Sequence, residues 1–300
     1  MADGVMSLWK KTIAEHITET IGKPFQLESE HSVGGGCINS ATVLEGGGLR
    51  FFVKVNDASM VDMFAAESEG LNELARTRAL RVPDPVCFGV DADSAYLVME
   101  HLQLGSGGRH TLEKLGRGLA AIHRVTSARF GWLRDNTIGS TPQINSSDEN
   151  WVRFWQRHRL GFQLDLAEGK GGGKRLIDRG TELNQLLPVF FSTYTPVPSL
   201  LHGDLWSGNY SSDENDEPVI FDPAVYYGDR ETDMAMTELF GGFGGRFFGA
   251  YNDAYPLDPD YKVRKVLYNL YHILNHFNLF GGGYRAQAEA MVDRLLAEIR

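Results

Sequence analysis

In the stretch "LLHGDLWSGN", residues 200–209, an acid and an amide stand five residues apart, Asp204 and Asn209. A turn placed directly after a buried strand can hold a carboxylate rigidly at a cleft surface, and an amide in that turn can reach back to the same space. Further along, Asp222 closes a second short apolar run, "PVIFD". Two carboxylates and an amide converging from neighbouring turns form a hard-oxygen set, which suits Mg²⁺ in the company of phosphate. One acid of the set would be left over to orient a hydroxyl.

The D-x-x-x-x-N spacing is that of a kinase catalytic loop, and Asp222 stands where such a loop is followed by a metal-binding aspartate. Here the first motif reads His-Gly-Asp and the second Asp-Pro-Ala. A site of this kind needs a cation for the phosphates of ATP. Lys54 lies centrally in "FFVKVN", among aromatic and β-branched residues, where a lysine is costly to bury unless an anion meets it. Its partner is expected on the helix "MVDMFAAESEGLNELARTRAL". There Phe64, Glu67, Leu71 and Leu74 follow i, i+3, i+7, i+10 and share one face, whereas Glu69 falls off it.

The glycines of "SVGGGCINSA" (Gly34, Gly35 and Gly36) let backbone approach phosphates closely. In "LVMEHL", the backbone of Glu100 and Leu102 is expected to bond the adenine edge, with Met99 behind it. After Asp222, "GDRETDMAM" carries Asp229, Glu231 and Asp233. A second metal set is one reading. The preferred one is structural, with Asp233 at the start of a helix accepting backbone N–H bonds from the catalytic turn. Cys37 sits beside the glycines, where N–H groups and Lys54 would favour its thiolate and make it a candidate redox switch. Cys87, in the apolar run "VCFGV", is expected to be buried and inert.

The elements that must position these residues divide unevenly. The first hundred residues read as strand-rich with one helix: "ATVLEGGGLRFFVKV" as two strands around a glycine turn, then "VCFGV" and "AYLVMEHL". In the first of these, Phe51, Val53 and Val55 alternate with Phe52, Lys54 and Asn56. Beyond about residue 105 the pattern is helical, as in "TLEKLGRGLAAIHRV", "ENWVRFWQRHRLGFQLDLAE" and "YKVRKVLYNLYHILNHFNLF". Only two short strands interrupt it. The predicted fold class is α+β, a small β-rich lobe over residues 1–103 and a larger, mainly helical lobe over residues 104–300, with ligand held between them.

Composition narrows the partners. The chain has 300 residues and a formal net charge of -10, with no run of Lys and Arg to neutralise a nucleic-acid backbone. No apolar run reaches the length of a membrane span, and the opening "MADGVMSLWKK" is not expected to act as a signal peptide. Two cysteines without metal-ligand spacing fit a reducing, cytoplasmic setting.

"HGDLWSGN", "FDPAVYYGDRETDMAM" and "ELFGGF", preceded by "VGGGCINSA" and "MFAAESEGL", resemble the fructosamine kinase (ketosamine-3-kinase) family. That family is a branch of the protein-kinase-like fold close to the aminoglycoside and choline phosphotransferases. The resemblance runs from about Ser32 to Tyr284. It implies ATP- and Mg²⁺-dependent phosphorylation of the sugar 3-hydroxyl of a ketosamine, after which the unstable adduct falls apart and frees the amine. It also implies that Asp204 is the base, that Asn209 and Asp222 hold Mg²⁺, that Lys54 and Glu67 form the phosphate-side ion pair, and that Trp206 borders the sugar. The partner would be a small ketosamine, a glycated amine or a protein lysine, met by a monomer or a homodimer. Met234 stands where Leu is expected, a swap that touches nothing catalytic. Rival readings are an aminoglycoside- or choline-type phosphotransferase on the same fold, and a nucleotide-binding pseudokinase.

Overall fold

The computed structural model describes residues 8–34, 38–108 and 110–299. The calls on Gly35, Gly36 and Cys37 lie outside them. Strands β1 (Ser29–Val33), β2 (Ser40–Gly46), β3 (Leu49–Asp57), β4 (Pro85–Asp91) and β5 (Ser94–Glu100) form one antiparallel sheet in the order β1-β2-β3-β5-β4. Gly47 and Gly48, both at positive φ, make the β2–β3 turn that the glycine cluster predicted. The alternation on β3 is observed. Phe51 and Val53 pack on one face of the sheet, in a core with Ile13, Ile17, Phe25 and Val98, while Lys54 faces the other way.

That first core exposes a difference from the sequence reading. Besides α2 (Val61–Arg76), the N-terminal region carries α1 (Leu8–Ile21), laid over the sheet. Its segment mixes Thr, Ile and charged residues with weak periodicity, so the helix depends on Ile13 and Ile17, one turn apart, being buried against β-strands.

The C-terminal region is built from α3 (Thr111–His123), α4 (Trp151–Trp155), α5 (Phe162–Gly169), α6 (Gly173–Leu186), α7 (Glu231–Leu239), α8 (Gly245–Ala254), α9 (Tyr261–Phe280) and α10 (Tyr284–Glu298). A π-helical turn, Gln156–Gly161, joins α4 to α5 within what reads in sequence as one helix. Instead of two short strands there are, among the described residues, six of three residues each: β6 (Asn136–Ile138) with β7 (Thr141–Gln143), β8 (Ser199–Leu201) with β11 (Tyr226–Gly228), and β9 (Tyr210–Ser212) with β10 (Pro218–Ile220). Three residues are too few to show a period of two, which is why four of these strands are invisible to pattern reading.

Two further cores matter for the site. One, with Trp151, Phe154, Trp155, Tyr268 and Leu274, lies within the C-terminal region and joins its helices to Ile138, Leu201 and Tyr226 of the short strands. The other is continuous across the chain's two regions, joining Phe64, Leu71, Leu97 and Met99 to Leu115, Leu200, Leu205 and Met234. The helix that bears Glu67 is thereby packed directly on the elements that bear Asp204 and Asp222.

Candidate active site

Strand β8 ends at Leu201, and the next three residues form a tight turn. Gly203 has φ 84°, and a Cβ there would lie 2.0 Å from the Ala224 carbonyl oxygen, so only glycine fits. His202 is fully buried and ties the turn to the segment before Asp222: its Nε2–H donates to Phe221 O at 3.0 Å, and its Nδ1 accepts from Asp204 N–H at 3.3 Å. Burial holds the imidazole below its usual pKa, consistent with this neutral tautomer. The sequence reading included His202 in its motif but gave it no role.

Asp233, on the first turn of α7, accepts His202 N–H at 2.7 Å and Gly203 N–H at 2.8 Å. This is the contact expected of it. Its Oδ2 also meets His123 Nε2 at 3.2 Å, and His123 Nδ1 meets Tyr251 OH at 2.8 Å. Burial pushes the Asp233 carboxyl up, but the hydrogen bond and charge of His123 outweigh it and the pKa is lowered. His123 was missed; its only signal was a histidine on the apolar face of "TLEKLGRGLAAIH". Asp229 and Glu231 each meet side chains of other elements. Asp229 takes Tyr194 OH and Tyr268 OH, and Glu231 receives Arg264 in a two-point contact of 2.7 and 3.0 Å.

Around this turn the predicted residues come together. Asn209 donates from Nδ2 to Asp204 O at 2.9 Å and to Asp204 Oδ2 at 3.2 Å, which turns its Oδ1 away as an acceptor. Asp222 has φ 56°, a left-handed backbone uncommon outside glycine and of the kind held under strain at functional sites. Lys54 Nζ reaches Asp222 Oδ1 at 2.6 Å and Glu67 Oε1 at 2.5 Å. Burial lowers the Lys54 pKa, but Asp222 and then Glu67 more than reverse this, so the ammonium stays charged. Glu69, off the face, pairs instead with Arg134 at 3.0 Å.

Asp204 sits half-buried, and its pKa is raised well above the ordinary value, first by burial and then by the charge of Asp222. Two carboxylates that repel each other across a gap, with an amide oxygen nearby, form an oxygen-only set that a divalent cation would relieve. Trp206 is 37% exposed, packs over Gly208 and meets the edge of Phe240 at 6.3 Å.

At the other end of the cleft the structure bears on one part of the Glu100 expectation. Met99 is buried as expected, but the Glu100 N–H already donates to Asp84 O at 2.8 Å, and its carboxylate pairs with Arg81. That N–H cannot serve an adenine edge. Leu102, just past the end of β5, lies outside this pairing. Gly34 is exposed, with open space where a Cβ would be.

A lysine–glutamate pair under a sheet, facing an aspartate–asparagine turn and a second aspartate across a cleft, defines a small-molecule kinase of the protein-kinase-like fold. A choline kinase of Streptococcus pneumoniae shares that fold, with a TM-score of 0.60 at 14% identity over 97% of this chain and 100% of the other. Within the class, the chain belongs to the fructosamine kinase family, whose profile matches residues 8–298. A Synechocystis protein named among the ketoamine kinases is 48% identical over 95% of this chain and 96% of its own length. A chloroplastic protein-ribulosamine 3-kinase of Arabidopsis thaliana is 44% identical over 94% and 86%. A crystal structure from Haemophilus somnus, named for a fructosamine-3-kinase, superposes with a TM-score of 0.89 at 28% identity, covering 96% of this chain and 97% of the other. Among the described residues, no helix is long and apolar enough to cross a membrane.

Proposed function

We propose that the protein transfers the γ-phosphate of ATP to the 3-hydroxyl of a ketosamine sugar, with Asp204 as the group that takes the hydroxyl proton. The observation that carries this reading is the double contact of Lys54 with Glu67 and Asp222, 2.5 and 2.6 Å away, opposite the Asp204–Asn209 turn. In the transfer, a bond forms between the sugar oxygen and the γ-phosphorus while the bond to the leaving phosphate oxygen breaks. The hydroxyl proton goes to the Asp204 carboxylate. Lys54, fixed by Glu67, faces the phosphates. Asn209 Oδ1 and Asp222 would hold Mg²⁺, which when bound neutralises phosphate charge. The remaining contribution of the protein is positioning, through His202, Gly203 and Asp233.

On this reading the nucleotide lies between residues 1–103 and 104–300, its base toward Met99 and Leu102, its phosphates near Lys54 and Gly34. Trp206 walls the sugar. The family and the 3-kinase relative favour a ketosamine over an aminoglycoside or choline. ATP consumption with fructosamine, ribulosamine and psicosamine adducts, compared with kanamycin and choline, tests this. Turnover confined to the ketosamines is expected, and faster turnover of kanamycin or choline overturns it.

A further inference from the structure

The strand register gives the cleft a direction. Glu100 lies opposite Phe51 at the end of the sheet where the chain crosses toward α3, while Ser40 lies opposite Val55 and Ser94 opposite Asp57 at the far end. Lys54 lies between them. A nucleotide with its base at the crossing and its phosphates at Lys54 therefore leaves the far end to whatever extends beyond the acceptor hydroxyl. At that far end lies a concavity of about 410 Å³, bordered by Ile38, Asp57, Ser59 and Met60 on one side and by Leu279 and Phe280, at the end of α9, on the other. Its two walls nearly meet at Gly139, where a Cβ would lie 3.1 Å from Leu279 and 3.2 Å from Ile38.

Three features suit it to seat part of a ligand on chemical grounds. Phe280 is 58% exposed there, an aromatic ring left facing solvent beside Leu279. A row of rings links it to the catalytic turn: Trp206 to Phe240 at 6.3 Å, Phe240 to His276 at 4.8 Å and His276 to Phe280 at 5.7 Å. Asp57 is exposed at the rim. Its Oδ1 accepts Ser59 N–H at 2.9 Å and Ser59 Oγ–H at 2.7 Å, while its Oδ2 has no hydrogen-bond partner among the described residues.

We infer that this concavity seats the amine-bearing arm of the acceptor, and that it selects arms a few methylenes long that end in a positive charge. This rests on the ketosamine reading above. Ile38, Met60, Leu279 and Phe280 would cover the methylenes, and Asp57 Oδ2 would face the terminal cation. A diamine glycated on one nitrogen and a lysine glycated on its α-nitrogen, which keeps its side-chain ammonium, present the same chemistry.

The test uses ketosamines of three amines of matched length: a diamine, a simple alkylamine, and an ω-amino acid whose free end is a carboxylate. For an exposed charge contact, wild type should prefer the diamine arm over the carboxylate arm by about three- to fivefold in kcat/KM. Asp57→Asn, which keeps an oxygen for Ser59, should level the two, and Asp57→Lys should invert their order. Phe280→Ala should reduce the preference for long arms over a methylamine adduct. An arm ranking identical in wild type and Asp57→Lys overturns the inference, as does an unchanged length preference in Phe280→Ala. Failure of every ketosamine to be phosphorylated overturns the proposed reaction instead. Adding the α-amino adducts of free lysine and of a peptide that begins with lysine separates the sources: comparable rates for both assign the site to peptide N-termini as well as free amines, and a rate with the free adduct alone assigns it to free amines.

Discussion

Gly203 and Ala224 approach so closely that a single added carbon on the glycine would overlap the alanine carbonyl oxygen, at 2.0 Å. The two residues belong to the segments that carry Asp204 and Asp222, and the Ala224 N–H returns a hydrogen bond to His202 O at 2.8 Å. The spacing of the two carboxylates is thus set by backbone contact. Gly203→Ala must either push the segments apart or leave the left-handed region. A loss of about 2–4 kcal/mol in stability is expected, together with a fall in turnover larger than any change in nucleotide affinity. Denaturant unfolding and isothermal titration check the two halves; wild-type stability would mean that the turn tolerates a Cβ.

Asp204→Asn should abolish turnover while nucleotide binding survives, because Lys54, Asn209 and Asp222 are untouched. The loss expected for removing a general base is roughly 10²–10⁴-fold. A variant keeping more than about a tenth of wild-type kcat contradicts the role proposed for Asp204.

The same substitution should stabilise the nucleotide-free protein. The folded-state pKa of Asp204 is raised, by burial and then by Asp222. Its favourable contribution to folding is therefore present below the unfolded carboxylate pKa, and is lost as pH rises through the folded value. Asn carries no charge to bury. The variant's advantage, on the order of 1 kcal/mol, should be absent in acid and appear toward neutral pH in thermal melts. A gap that is constant across pH would assign it to packing.

Lys54→Met and Glu67→Ala should each weaken catalysis, and the double variant should lose less than the sum in free energy, since either change breaks the same pair. Glu69→Ala removes a partner of Arg134 and should cost no more than about 1 kcal/mol in stability, with little effect on kcat. Strict additivity for Lys54 and Glu67 would separate them functionally.

Asp233→Asn should impair the site from behind. Asn offers one oxygen where the carboxylate accepts both His202 N–H and Gly203 N–H, so one buried donor is left unpaired, costing about 1–3 kcal/mol. Turnover should fall at saturating substrate while KM for ATP changes little, measurable by steady-state kinetics. A variant with unchanged kcat would show that the turn holds itself.

Much of this protein is determined by residue type and short spacing alone. The D-x-x-x-x-N run, the lysine within "FFVKVN" and the 64–67–71–74 helix face are local facts, and each carries its own physical signal: a polar group where an apolar one belongs. Lys54 and Glu67 therefore name each other before any coordinates exist, and the long α9 is legible from its periodicity to the residue, Tyr261–Phe280. What only the tertiary structure decided are relationships between distant segments with no pattern of their own. His123 supports Asp233 from 110 residues away. The Glu100 N–H is diverted to Asp84 across a strand pair. The left-handed backbone at Asp222 lies two residues before the close approach of Ala224 to Gly203. α1 and the four unpredicted three-residue strands exist because long-range burial and pairing stabilise conformations that their own sequences only weakly prefer.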